Sequence, residues 1–496
     1  MKHTYIEIWS DSFHEGEWCC SLIASHAKKQ GCSFTKNYVR GLQPHYIIKG
    51  CDYEIELIVF GSYRSWSPMP PKIKELIKWG KPDFIAYDPK NKEIIFAVEE
   101  TAATPTGNQA MQRCERQYGS ARLSIPYWYL ISEFGVHKDG GVRRDSIWPT
   151  IAALKLSILK KSPCMVLHYS DIDNPEDYSS GKGVHLLFSS LFLMLKNHAK
   201  QINNLDGLTP LLEKQYIEML SFLNSQWKNI IDFLPSEKLI NEPKTPKVLS
   251  EIATGNTVNI SQIDDFLVWP KIKNVPKHVR EHWTSKQLIK YDPLCQLFEN
   301  DVALGNAYYL SDNAGSGKPP TTEQIKGYLK QQKLLFAKSK GLNPPAKFTM
   351  TIDDFPLTGK GNDRRHVTTA KNIVYLYDSW NTLRDTIVKA YPRLNTHLEK
   401  LTNDLPVFVY VSNSMKPGRL FGDPFTGQLS AYSTAFGKFD KSRRMVVAYF
   451  PHQVHTQAIT PSGAAVNKGM TLMTELTDYV IFNAGVAVNL STQEVM

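Results

Sequence analysis

The chain has 496 residues, of which 42% are hydrophobic and 21% charged, and its formal net charge is +10. That length exceeds a single ordinary core, and the balance excludes disordered, collagen-like and small disulfide-stapled classes. The positive excess favours an anionic partner, nucleic acid before acidic lipid.

The opening MKHTYIEIWSDS meets acids before any apolar run develops, so no secretory leader is read there. TYIEIW alternates like a short strand, and HEGEWCCSLIASHAKK then has helical spacing, with Trp18, Leu22 and Ile23 on one side and Glu17 near its start. YIIKG and YEIELIVFG predict a β-hairpin, and SPMPP a loop. KPDFIAYD and IIFAVEET predict two strands around a polar turn, followed by a helix from about Gly107 and a buried strand in SIPYWYL. IWPTIAALKLSILKK reads as an amphipathic helix, PCMVLHYSD as a buried strand, and residues 184–234 as helical. The longest apolar block, LLFSSLFLML, is too short for a bilayer, so no membrane partner is expected. Seven scattered cysteines without a CxxC pair fit reduced thiols and a cytoplasmic location.

A polar, proline-bearing stretch, PSEKLINEPKTPK, marks the expected domain boundary. The expected division is a catalytic domain over 1–234, a linker over 235–260 and a recognition domain over 261–496. Beyond the boundary, Trp269, Trp283 and Tyr291 interleave with many cations. A helix is predicted over 322–338, then strands in NIVYLYD, LPVFVYVS, RRMVVAYF and DYVIFNA. The expected fold class is α/β, with a mixed sheet flanked by helices in the first half and a second mixed α/β domain.

The chemistry concentrates in residues 81–129. Hydrolysis of a phosphodiester needs an activated water and charge neutralisation at the phosphate, which a magnesium or manganese ion on two carboxylates can supply. Asp83 opens one strand, and Glu99, Glu100 and Thr101 close its neighbour. Strand alternation puts Glu99 and Thr101 on one face and Glu100 on the other, so Glu99 is the expected metal ligand beside Asp83, with Glu100 assisting. Gln109, Gln112, Arg113 and Arg116 recur at helical spacing, where the first three could position phosphate or water and Arg116 could bind DNA.

This arrangement resembles the restriction-endonuclease-like PD-(D/E)XK nuclease superfamily. Pro82-Asp83 matches its PD, and Glu99-Glu100-Thr101 falls on its D/E-x-K position. The resemblance covers about residues 1–200 and implies an α/β core around a mixed sheet, with magnesium-dependent cleavage of nucleic acid. It also implies a metal-assisting glutamate on an early helix, matched here by Glu17. Thr101 stands where the family has lysine, and threonine supplies no cation. A second metal ion, or a cation such as Lys81 or Arg113, would have to replace it, or catalysis is lost.

AGSGKPPTT departs from the phosphate-loop pattern at Asp312 and Pro319 and reads as a solvent loop. His452 and His455 read as structural histidines, His168 as a core histidine, and Asp171 and Asp173 as turn residues. Lys271, Lys273, Lys360, Arg364 and Arg365 belong to cation-rich stretches suited to phosphates. The expectation is a sequence-specific endonuclease of the type II restriction class acting on double-stranded DNA, as a homodimer if both strands are cut. The alternatives are a catalytically inactive nucleic-acid-binding protein, or a nuclease acting on RNA or structured DNA in phage defence.

Overall fold

A computed structural model describes residues 2–61, 68–101, 110–132, 146–169, 184–230, 246–256, 293–304, 307–312, 321–338, 351–355, 357–358, 360–361, 364–366, 372–398, 405–411, 425–436, 445–450, 468–482, 485–492 and 494–495. It is α/β, with two large mixed sheets flanked by helices. The chain divides into two compact units. One comprises Met1–Pro105, Arg113–Ile230 and Lys238–Val268, and the other comprises Thr106–Gln112, Ile231–Glu237 and Trp269–Met496.

The first unit is built on an eight-stranded sheet of order β2-β3-β4-β1-β5-β6-β7-β8. Its strands are β1 (Lys2–Ser10), β2 (Ser33–Val39), β3 (Gln43–Lys49), β4 (Tyr53–Gly61), β5 (Phe84–Asp88), β6 (Glu93–Thr101), β7 (Tyr127–Ser132) and β8 (Cys164–Tyr169). The hairpin expected from YIIKG and YEIELIVFG is the antiparallel pair β3–β4. β4 lies parallel to β1, β1 antiparallel to β5, and β5 antiparallel to β6. From β6 onward the pairing turns parallel, to β7 and then β8. That switch requires crossover connections, and helices supply them.

Helix α1 (Phe13–Lys29) starts at a reciprocal cap. The Ser12 hydroxyl accepts from the Glu15 backbone N–H at 3.2 Å and donates to the Glu15 carboxylate at 3.0 Å. Helix α2 (Pro71–Ile77) leads into β5, and α3 (Cys114–Arg122) crosses from β6 to β7. Helix α4 (Trp148–Lys160) crosses to β8 and ends at Lys161, which takes a left-handed conformation at φ 50°. The stretch expected to be helical over 184–234 forms two helices, α5 (Val184–Lys200) and α6 (Thr209–Ile230). Between them Gln201 and Gly207 have φ of 62° and 72°, outside the helical region.

LLFSSLFLML lies in α5 as a buried helix, and among the described residues no helix is long and apolar enough to cross a membrane. A buried polar chain reaches it from its neighbours: Trp128 Nε1 donates to Gln215 Oε1 at 2.8 Å, and Gln215 Nε2 to Ser190 Oγ at 2.9 Å. Helix α7 (Pro246–Ala253) falls inside the stretch expected to be a linker, yet it buries Leu249 and Ile252 and packs on α6.

The second unit holds a seven-stranded sheet of order β17-β16-β15-β14-β13-β12-β9. Its strands are β9 (Ala307–Asp312), β12 (Asn372–Tyr377), β13 (Val407–Val411), β14 (Met445–Phe450), β15 (Tyr479–Phe482), β16 (Ala487–Asn489) and β17 (Glu494–Val495). A separate two-stranded ribbon pairs β10 (Leu357–Thr358) with β11 (Arg365–His366). Its described helices include α8 (Pro293–Leu304), α9 (Thr322–Lys338), α10 (Trp380–Ala390), α11 (Phe425–Phe436) and α12 (Lys468–Leu476). All four strands expected from the apolar runs form, as does the helix over 322–338. β13, β14 and β15 are buried along their whole length, as parallel strands covered on both faces must be.

Candidate functional site

Pro82-Asp83 stands immediately before β5, and the Asp83 carbonyl accepts from the Asp11 backbone N–H at 3.2 Å, which ties it to the end of β1. The antiparallel register pairs Phe84 with Val98, so the next residues outward are Asp83 and Glu99. The acids of both strands therefore emerge at one end of the hairpin. One oxygen of Asp83 accepts the Glu100 backbone N–H at 2.8 Å, which fixes the carboxylate against the end of β6.

Alternation along β6 separates its acids. Glu99 and Thr101 face α3, and the Glu99 side chain is 0% exposed. There Glu99 Oε1 forms a short ion pair with Arg116 Nη1 and a second with Arg113 Nη1 at 3.1 Å. Arg116 Nη1 also lies 3.8 Å from Asp83 Oδ1, so one guanidinium sits between the two acids expected to share a metal ion. Arg113 donates in addition to the Glu100 carbonyl at 2.7 Å. Glu99 Oε2 and Thr101 Oγ1 are both buried and lack a hydrogen-bond partner among the described residues. Glu100 points to the opposite face, where its carboxylate accepts from the Tyr169 hydroxyl at the end of β8.

Two glycines set the depth of α3. A Cβ on Gly80 would lie 2.5 Å from Arg116 Cγ, and one on Gly119 would lie 2.2 Å from Trp79 Cβ. Only bare backbone at these positions lets the Trp79-Gly80 segment rest on α3 and bring Arg116 beneath Asp83.

Charge and burial act against each other here. Burial pushes the Asp83 carboxyl well above the usual range, with the charge of Glu99 adding and that of Arg116 opposing. Burial likewise raises Glu99, opposed by Arg116 and Arg113, and raises Glu100, opposed by the hydrogen bond from Tyr169. For Arg116 burial works against the charge, but Glu99, Glu115 and Asp83 outweigh it and hold the guanidinium protonated.

Several expected residues stand elsewhere. The continuous helical face through Gln112, Arg113 and Arg116 is interrupted: Ala110 and Met111 are helical, Gln112 and Arg113 form a turn, and α3 begins at Cys114. Arg116, expected on DNA, is 18% exposed and engaged by buried carboxylates. Glu17, expected at the metal, ion-pairs with Lys36 and accepts from Tyr38 at 2.7 Å, beside β2. The helix acid whose charge reaches Glu100 is Glu15, legible only through its S-x-x-E cap. Tyr169 was not foreseen, because 69 residues separate it from Glu100. Lys360 and Arg364 are exposed, and Arg365 lies in β11. Gln109, Lys271, Lys273, the Gly315–Lys318 loop, His452, His455, Asp171 and Asp173 lie outside the described residues. His168 is buried, its ring stacked on Phe222 with centroids 3.6 Å apart.

Among the described residues, the one group of three ligand-type side chains close enough to share an ion is Asp88, Glu93 and His198, at the opposite end of the same hairpin. His198 Nε2 lies 2.7 Å from Asp88 Oδ2, and Nδ1 lies 3.4 Å from Glu93 Oε1. Asp88 also accepts the backbone N–H groups of Lys90 and Asn91 and the Asn91 amide, so its oxygens are already occupied by the turn. Comparison with known proteins returns no family model, no curated protein and no solved structure that matches this chain.

Proposed function

We propose that the chain is a divalent-metal-dependent endonuclease acting on double-stranded DNA, with the acid cluster of β5 and β6 as its catalytic centre. The observation that carries this reading is the emergence of Asp83 and Glu99 at one hairpin end with Arg116 Nη1 reaching both, while Glu99 Oε2 is buried without a hydrogen-bond partner among the described residues. A buried carboxylate oxygen without a hydrogen-bond partner is costly unless a cation completes it. The element order agrees with the resemblance in the sequence: an antiparallel pair carrying PD and EET, a helix, then a strand parallel to the second.

The donor set is all oxygen, which suits Mg²⁺ or Mn²⁺, and Asp83 and Glu99 would hold the ion, with Glu100 on the opposite face beside Tyr169. When bound, such an ion neutralises phosphate charge and acidifies a water. The chain's own residues do the positioning. The Asp11 and Glu100 N–H groups hold Asp83 in place, and Tyr169 holds Glu100. Arg113, 35% exposed, is the guanidinium with access to a scissile phosphate. The net charge of +10 would draw the duplex in, with Lys360 and Arg364 as exposed phosphate contacts. Each chain carries one such centre, so a double-strand break would take two chains, and sequence-specific restriction in the cytoplasm is the role that fits.

Incubation with long mixed-sequence DNA tests this. Discrete fragments are expected with magnesium and none with EDTA, and Asp83→Asn should lower cleavage by about a hundredfold or more, the equivalent of ~3 kcal/mol in the barrier. Normal cutting by that variant would remove the proposed centre. A second reading rests on Arg116 between Asp83 and Glu99 together with Thr101 in place of lysine: a DNA-binding protein without catalysis. Retarded but intact DNA is its signature.

A further inference from the structure

The position of Arg116 has a consequence for how an ion could enter. Its Nη1 contacts Glu99 Oε1 and lies 3.8 Å from Asp83 Oδ1, which is the place an ion bridging the two acids would take. The stem of Arg116 passes Gly80 so closely that no side chain fits there, so the approach is built into the backbone. Its Nε is buried without a hydrogen-bond partner among the described residues, so the head group is held by charge on one edge and not locked by a full set of bonds. Arg113 supplies Glu99 with a second guanidinium that is more exposed.

We propose that Arg116 is the resident counter-cation of the acid cluster, and that a divalent ion enters by exchanging with its guanidinium between Asp83 and Glu99. This rests on the reading that the cluster takes a divalent ion. A divalent cation and a guanidinium cannot both occupy the space between two carboxylates, because like charges a few ångströms apart repel strongly where water is scarce. In the absence of the ion, Arg116 together with Arg113 compensates the buried charge of Glu99, which would otherwise be strongly destabilising. When the ion binds, the guanidinium swings outward from Glu99 while Arg113 can remain. The exchange makes ion affinity a difference between two cations competing for the same oxygens, and Arg116 a positioning residue that sets it.

The test measures Mn²⁺ binding through loss of the free-ion EPR signal, with DNA cleavage assayed separately. Arg116→Gln removes the competing charge and should bind Mn²⁺ about tenfold tighter or more than wild type. Arg116→Lys keeps a charge and should stay close to wild type, and Asp83→Asn added to Arg116→Gln should abolish the gain. Equal or weaker binding by a folded Arg116→Gln overturns the exchange. If that variant does not fold, the wild type carries the test: the Nε–H of Arg116, followed by NMR, should lose protection from solvent exchange as Mg²⁺ saturates. Unchanged protection overturns the proposal, as does the absence of Mn²⁺ binding in both proteins. Tighter binding without any DNA cleavage leaves the exchange standing and sinks the nuclease. Cleavage with unchanged Mn²⁺ affinity does the reverse.

Discussion

The β5–β6 hairpin carries acids at both ends, and the two ends are finished differently. At the turn, Asp88 accepts from Lys90, Asn91 and its amide, and meets His198, so its oxygens are saturated by neighbours. At the open end, Glu99 shares one oxygen between two arginines and leaves the other buried and unpartnered. A saturated acid fixes backbone; an unsaturated, charge-compensated one stores binding capacity. Ligand-type residues within reach of one another are found at the turn, yet the hydrogen-bond inventory there is that of a structural clip joining the hairpin to α5.

The strongest way to probe this contrast is Glu99→Ala. It strands Arg116 and Arg113 beside a buried void, and a loss of about 3–5 kcal/mol in urea unfolding is expected. A loss below about 1 kcal/mol would mean that the ion pair does not hold α3 to β6. Next comes His198→Ala, which leaves Asp88 one bond short and should cost about 1–3 kcal/mol by the same measurement. Mn²⁺ affinity and cleavage should stay at wild-type values, and a change in either would break the distinction between the two ends.

The smallest effect concerns His26, a buried histidine of α1. Its Nδ1 lies 3.1 Å from the Leu22 carbonyl, and its ring centroid 6.0 Å from that of Phe188. Burial lowers its pKa below the ordinary imidazole value of 6.5, with the charges of Lys29 and His185 adding. The unfolded chain then binds more protons between the two values, so the neutral ring's contribution is present above about pH 6.5 and is lost as pH falls through the folded value. His26→Gln should flatten the fall of melting temperature between pH 7 and pH 5. An unchanged slope would place that dependence on other groups.

Much of the fold was legible in residue pattern alone. Apolar runs such as VFVYV and MVVAYF can only be covered strands, and the helical spacing of HEGEWCCSLIASHAKK is that of α1. The helix expected from about Gly107 is interrupted at Gln112–Arg113: Ala110 and Met111 are helical and α3 resumes at Cys114, so the helical spacing of Gln112, Arg113 and Arg116 runs through a turn. The linker was misjudged over Pro246–Ala253, where the polar composition nearby concealed an apolar face that packs on α6.

By itself the sequence determined that Asp83 and the Glu99–Thr101 run end neighbouring strands, and that Glu99 and Glu100 take opposite faces, since alternation and strand order are local properties. Which groups those faces meet was decided by the tertiary structure alone. Arg116 reaches Glu99 because two glycines let α3 settle close, and Tyr169 reaches Glu100 because parallel pairing brings the end of β8 to the end of β6. Long side chains from distant positions meet through packing depth and register, and neither is written in any short stretch of residues.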